Sequence, residues 1–281
     1  MPAIPLIEMI ENVRDIVDDE NKNTHTDAEI LSYINAAVGF YDGILAEFAE
    51  KALMQYRDVS HDGSELQDVM PYLPRIVGVE RTSNTPRTET IPLPRGFDDR
   101  LSFVGVNAGT QEGFYYVQNN QLAVVPQQSS GTDRVWMVLR TPELHYGTLT
   151  AGATTTSLVF GATPTKGNLV KVDDAYNFIP FMLTVSRELG VIDDFTSSTL
   201  TSTLQQTLLN DPASAAYSML PPIDPEFHWL YIWDAVIKCR IRTHENTMEP
   251  ASERQRLESL LMQRIRKNQS QRSRYYTRHG W

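Results

Sequence analysis

From Ile30 to Ala52 the apolar residues recur at helical spacing, and no other stretch constrains the fold as much. Ile30, Ile34, Val38 (or Ala37), Tyr41, Leu45, Phe48 and Ala52 follow one another at steps of three or four, which is one side of a helix turning every 3.6 residues. Its start is marked as well. Thr26-Asp27-Ala28-Glu29 has the form of a capping box, in which the Thr26 hydroxyl accepts from an amide of the first turn and Glu29 reaches back to Thr26. The spacing predicts a helix of about seven turns, to roughly Arg57. Gly39 and Gly43 lie inside it, each costing about 1 kcal/mol against alanine, and allow either a close helix approach or a bend. Before it, Leu6, Ile10, Val13 and Val17 predict a shorter amphipathic helix over 4–19, closed by the polar break Asn21–Thr24.

From Met70 the character changes. Pro71, Pro74, Pro86, Pro92 and Pro94 break helices, and short β-favouring runs replace the helical pattern. Strands are expected over 76–82, 89–93, 101–106, 114–117, 121–125 and 134–140, an antiparallel domain with Asn119-Asn120 as a tight hairpin turn. A second β-rich segment runs from Gly147 to Leu220, with strands over 154–160, 178–185, 189–195, 199–204 and 215–219. Residues 178–189 could form a helix instead; the flanking turn residues favour a strand.

Helical signals return at Pro221-Pro222-Ile223-Asp224-Pro225, where Asp224 reads as an N-cap and Pro225 as the first helical residue. Phe227, Leu230, Trp233, Val236, Ile237 and Ile241 give a broad apolar face to about His244. Cys239, the one cysteine, belongs to this helix as a small core residue, and its lack of a partner points to a reducing interior. Pro250 opens a last helix with a narrower stripe of Leu257, Leu260, Leu261 and Ile265. The expected fold is α+β: a bundle of N- and C-terminal helices, inserted antiparallel β domains and an extended C-terminal arm. The expected divisions are 1–70, 71–146, 147–220, 221–268 and 269–281.

Charge is segregated along this chain. Ala251–Trp281 carries eight basic residues against Glu253 and Glu258, six positive charges on a chain of net charge −10, which leaves −16 elsewhere. The first 70 residues hold fifteen acids against Arg14, Lys22, Lys51 and Arg57, dispersed as a solvated face with no D-x-D-x-D-G ion loop. Such a body does not suit a general duplex-DNA binder, which needs a basic face to displace counterions. No apolar run is long enough to span a membrane, and Met1–Glu11 has no signal-peptide pattern.

Catalytic and cofactor patterns are missing. The chain has no G-x-S-x-G elbow, phosphate loop, G-x-G-x-x-G or H-E-x-x-H. The six histidines, at 25, 61, 145, 228, 244 and 279, include no pair at metal-ligand spacing. Adjacent acids such as Asp173-Asp174 and Asp193-Asp194 point to opposite faces of a strand and do not make an acid/base pair. The expectation is therefore a non-enzymatic protein with no cofactor, no metal and no catalytic residue. A glycan hydrolase built from distant carboxylates is the alternative from another class.

The tail carries the remaining chemistry. Arg272, Arg274, Tyr275, Tyr276, Arg278 and Trp281 interleave arginine with aromatics, the residue types enriched in interface hot spots. They are the candidate partner interface. The alternatives are a solvated tail and a single-stranded nucleic-acid contact, with bases stacked on tyrosine and phosphates paired to arginine.

Several segments together resemble the head-to-tail adaptor, or gatekeeper, proteins of tailed bacteriophages. Thr26-Asp27-Ala28-Glu29-Ile30-Leu31-Ser32-Tyr33-Ile34-Asn35-Ala36-Ala37 resembles their Ser/Thr-Asp-x-Glu-Leu helix start leading into an Asn-x-Ala helix. Thr90-Ile91-Pro92-Leu93-Pro94-Arg95-Gly96-Phe97 resembles a strand-Leu-Pro-x-x-Phe segment of the family, and Pro221–Trp229 its proline-flanked entry to the penultimate helix. Residues 153–219 are similar to a small β module of phage structural proteins, through Asp173-Asp174-Ala175-Tyr176-Asn177 and Gly190-Val191-Ile192-Asp193-Asp194-Phe195. The module's usual Gly-rich hairpin is replaced by Arg187-Glu188-Leu189. The resemblance implies a virion protein, assembled in the host cytoplasm into a ring, usually of twelve copies, beneath the portal protein. It also implies tail or nozzle proteins attached below, and genomic DNA passing through an acidic channel without specific binding. The C-terminal segment, 269–281, would reach into the portal.

Overall fold

A computed structural model describes residues 2–21, 23–48, 54–61, 67–68, 75–82, 88–92, 113–118, 121–125, 131–138, 140–173 and 175–278. Among the described residues the protein is a mixed α/β chain with four α-helices and mainly antiparallel sheets. It divides into two compact units. One comprises Met1–Ala49, Thr141–Lys171 and Tyr176–Trp281; the other comprises Glu50–Arg140 with Val172–Ala175. Residues 147–171 and 176–220 thus fall in the unit that holds the helices.

In the first unit, helix α1 (Leu6–Val17) buries Leu6, Met9, Ile10 and Val13 and ends at Asp18, which takes the left-handed conformation at φ 55°. The connection to α2 (Asp27–Phe48) is built around two buried charges. The Asp19 carboxylate accepts from the amides of Asn23, Thr24 and His25 at 2.9–3.1 Å, and these bonds hold its pKa below the ordinary value against the opposing cost of burial. Arg14, 4% exposed, donates to Asp19, to Asp27 and to the His25 carbonyl. The capping box forms in both directions: the Glu29 amide donates to Thr26 Oγ1 at 3.2 Å and the Thr26 amide to Glu29 Oε2 at 3.0 Å. Helix α2 buries Ile30, Leu31, Ile34, Val38, Tyr41 and Leu45 as its spacing predicts, but it is shorter than expected. Met54–Arg57, read from the sequence as the end of this helix, belongs instead to strand β1 (Met54–Ser60). Seven-residue pairing with β7 (Thr132–Val138) outweighs local helical spacing there.

Helix α3 (His228–Arg242), entered through a short 3-10 turn at Pro225–Phe227, packs against α1, α2 and α4 (Met248–Arg278). Its Leu230, Tyr231, Ile232, Ala235, Val236 and Cys239 are buried. Burial pushes the Cys239 thiol up to about 11, so it is a packing group and an inert thiol. Ile241, placed on the apolar face by the sequence, is instead 60% exposed.

The sheet of this unit runs β8 (Tyr146–Thr148), β13 (Ala216–Met219), β10 (Pro180–Leu183), β11 (Glu188–Thr196), β12 (Thr201–Leu204), β9 (Ser157–Val159), all antiparallel. Leu149, just past β8, bridges Phe160, just past β9, and the Thr150 amide donates to the Val159 carbonyl at 2.8 Å. The outer strands therefore meet, and the curled sheet leaves little open edge. Phe160, Tyr176, Phe181, Phe195 and Tyr217 fill its interior. The stretch 178–189, for which the sequence favours strand over helix, holds a β10–β11 hairpin whose loop Thr184–Arg187 lacks glycine. Arg187 itself adopts φ 58° and pairs with Glu8 of α1.

The second unit is a seven-stranded sheet in the order β1-β7-β3-β4-β5-β6-β2, with β2 (Gln67–Asp68), β3 (Arg75–Arg81), β4 (Thr88–Pro92), β5 (Gly113–Gln118) and β6 (Gln121–Val125). Val59, Val79, Tyr115, Leu122, Val124, Val135 and Met137 form its core. Two features depart from expectation: β1 and β2 add strands, and β4 pairs with β5 in parallel. The strand expected over 101–106 and the turn Asn119-Asn120 lie outside the described residues, although β5 and β6 pair antiparallel on either side of that turn.

Candidate partner interface

The candidate interface lies at the end of α4, so the geometry of this helix comes first. Its amide end is held by Asn246, whose side chain accepts from the Met248 amide at 2.9 Å. Pro250 lies in the first turn, where a missing N–H costs no helical bond. Leu257, Leu261 and Ile265 are buried at steps of four, while Leu260 of the expected stripe is 44% exposed.

Among the described side chains of this segment, Arg254, Arg256 and Arg264 are engaged within the fold. Arg254 donates to Asp234 of α3 at 3.2 Å and lies 3.8 Å from Glu258; Arg256 pairs with Glu253 at 2.9 Å. Arg264 lies 2.9 Å from Asp224, pairs with Glu226, and stands 5.9 Å from the Phe227 ring centroid. These contacts fasten α4 across the entry to α3. They also explain why Asp224, expected as an N-cap, makes no side-chain cap bond: its carboxylate faces Arg264.

The candidate interface residues lie further on, from Arg272. Where an extended arm was expected, the backbone continues as helix to Arg278. This corrects the arm's conformation. A run with neither proline nor glycine from Ala251 to His279 lets a helix propagate once the packed part has nucleated it. Arg272, Arg274, Tyr275, Tyr276 and Arg278 therefore share one helix, with Arg272 one turn from Tyr275 and Tyr276, and Arg274 one turn from Arg278. Trp281 lies outside the described residues. The charge asymmetry was legible in the sequence; that its proximal bases are spent on intrachain ion pairs was not, because the cross-element partners of Arg254 and Arg264 are 20–40 residues away.

Three buried polar clusters elsewhere escaped the sequence. His145 is fully buried among Phe160, Tyr176 and Tyr217, with ring centroids 5.1–5.9 Å away. Its Nδ1 lies 2.9 Å from the Tyr217 hydroxyl, and desolvation pushes its pKa down to about 3. His228 accepts at Nδ1 from the Ile4 amide at 3.2 Å, and burial lowers it to about 4. In the other unit, Asp133, fully buried, lies 2.9 Å from His61 Nε2 and accepts from Arg81 Nε at 3.2 Å, joining the ends of β1, β3 and β7. The first two are core histidines that keep neutral rings in apolar surroundings. The third is a charge-assisted staple across three strands.

Among the described residues no group of three or more His, Cys, Asp and Glu side chains could hold a metal ion. Nor is any of their helices long and apolar enough to cross a membrane. No protein-family model and no curated protein matches this chain.

Proposed function

We propose that this chain is a structural head-to-tail adaptor of a tailed-bacteriophage virion, a ring that docks beneath the portal protein and carries tail or nozzle proteins below. The observation that carries the reading is the composition of the end of α4: past Arg254, Arg256, Leu257, Leu261, Arg264 and Ile265, which serve the fold, the helix runs on with Arg272, Arg274, Tyr275, Tyr276 and Arg278, the residue types of interface anchors. In the proposal this terminal helix, with Trp281, seats in the portal, and the helices form a bundle. The order of the adaptor-like segments, from Thr26–Ala37 through Thr90–Phe97 to Pro221–Trp229, supports the assignment. The net charge of −10, with −16 outside the last 31 residues, suits a wall past which genomic DNA moves without adhering.

The test is deletion of Gln269–Trp281. The shortened chain should fold, since it keeps the buried stripe of Leu257, Leu261 and Ile265, and should fail to co-sediment with portal rings. Undiminished portal binding by the deletion sinks the anchor assignment.

A further inference from the structure

Two apolar surfaces of the unit that holds the helices stand open to solvent, and they complement each other. The first is a knob at one end of the curled sheet. Val185, in the β10–β11 loop, is 87% exposed, Leu189, at the start of β11, 55%, and Leu209, in the β12–β13 loop, 93%. Leu209 is held outward by what surrounds it. The Glu188 carboxylate accepts from the Leu209 amide, and from the Asn210 amide and side chain at 3.0 and 2.8 Å, while Leu208 and Pro212 are buried. A loop stitched in this way loses little freedom on docking. Asp211 is exposed, accepts from the Ala213 amide at 3.0 Å, and has no basic partner among the described residues.

The second surface is the face of α3 and α4 turned away from α2. Tyr231 meets Tyr41 of α2 edge to face, with ring centroids 5.8 Å apart, so Trp233, two residues on, lies on the opposite flank of α3. Trp229, Trp233 and Ile237 follow one another along that flank at steps of four, each partly buried, with the two indoles 6.0 Å apart. On α4 the same rotation holds. Burial, and then the nearby Glu258 charge, push the Tyr41 hydroxyl well above its ordinary pKa, so Glu258 faces α2. Leu260, two residues on, falls on the other flank, 44% exposed, with Arg256 and Arg264 one turn away on either side. Both arginines are tied within the fold, yet about half of each side chain is exposed, which leaves N–H donors to spare.

We propose that the knob of one copy seats on this face of a second copy, with Leu209 against Trp233 and Leu260 and the Asp211 carboxylate between Arg256 and Arg264. Charge selects the occupant: the knob brings an acid, and the face that receives it brings two bases. Tryptophan and arginine are also the residue types that dominate such contacts. Within one copy Leu209 is almost wholly exposed, so the knob does not fill the face of its own chain. The contact joins different patches of the two copies. It is therefore heterologous and repeats from copy to copy into a ring or an open chain. The inference rests on the ring reading only for closure, and the residues assigned to the portal, from Arg272 on, take no part in it.

Sedimentation velocity of the full-length chain over a range of concentrations, with no portal present, tests it. The wild type should self-associate, and more weakly as salt rises. Leu209→Lys sets a cation against the two arginines, and Leu260→Asp sets a carboxylate against Asp211. Each should weaken association about tenfold or more. Both positions are exposed, so urea unfolding of the two variants should match the wild type. Mixed in equal amounts, the two variants should form a pair of chains that does not grow further. The Leu260→Asp chain keeps an intact knob and the Leu209→Lys chain an intact receiving face, so one good contact remains between them. Val185→Lys, in the other loop of the knob, should weaken association in the same direction. A wild type that stays monomeric, a Leu209→Lys chain that associates as the wild type does, or a mixture that stays monomeric would each overturn the proposal. Portal binding is read in a separate experiment, so failure of one reading is distinguishable from failure of the other.

Discussion

His145 makes the protein acid-sensitive in a window set by its surroundings. The ring sits among Phe160, Tyr176 and Tyr217 with its pKa depressed to about 3, against about 6.5 when the chain is unfolded. The unfolded chain therefore binds a proton that the folded chain refuses. Stability from this group is fully present above pH 6.5 and is lost as pH falls towards 3. At pH 5 the unfolded form is favoured by about 1.5 pH units of protonation, about 2 kcal/mol. The perturbation is His145→Gln, which cannot titrate and retains an oxygen able to accept from the Tyr217 hydroxyl. Urea unfolding of wild type and variant at pH 7.5 and pH 5.0 gives the comparison. The fall in unfolding free energy between those two conditions should be about 2 kcal/mol smaller in the variant. The depressed carboxylates Asp19, Glu29 and Glu188 do not confuse the result, because their stability is lost only below the ordinary carboxylate range. An equal fall in both proteins would refute the reasoning.

His228→Gln should remove a second, smaller share of the same acid sensitivity, since its ring is depressed to about 4; parallel urea titrations check it. Arg14→Ala leaves the buried Asp19 carboxylate without its cation and should cost about 3–5 kcal/mol by chemical denaturation, the loss of a buried charge partner. Thr26→Ala removes the acceptor of the Glu29 amide and should cost about 1 kcal/mol in thermal unfolding. Ser214→Gly, at an exposed turn position with φ 58°, should raise stability by about 0.5–1 kcal/mol in the same measurement.

Much of the fold was legible because its signals are local. The capping box at Thr26, the helical stripe of α2 and those β runs between 76 and 219 that fall on described residues are short-range patterns, and the elements formed close to where those patterns lie. The misreadings arise where tertiary pairing or buried charge decides. Ala52 continues the helical spacing of α2, yet Met54–Ser60 finds seven partners on β7 and becomes a strand. The parallel β4–β5 pair depends on a long crossover, which alternation alone does not reveal. Arg187 occupies a left-handed position that a sequence reader reserves for glycine, and its ion pair to Glu8 lies 179 residues away. The candidate interface was legible as composition but not as geometry: a stretch of Asn, Gln, Ser and Arg without an apolar stripe reads as an arm, while a helix already started at Met248 carries it on to Arg278.

The central claim is that the end of α4 joins this chain to a portal ring. Electron microscopy of portal rings mixed with the full-length chain, and with the chain ending at Asn268, addresses it most directly. The account predicts a second ring stacked coaxially on the portal with the full-length chain and bare portal rings with the shortened one. Portal rings that stay bare in the presence of the full-length chain would contradict it.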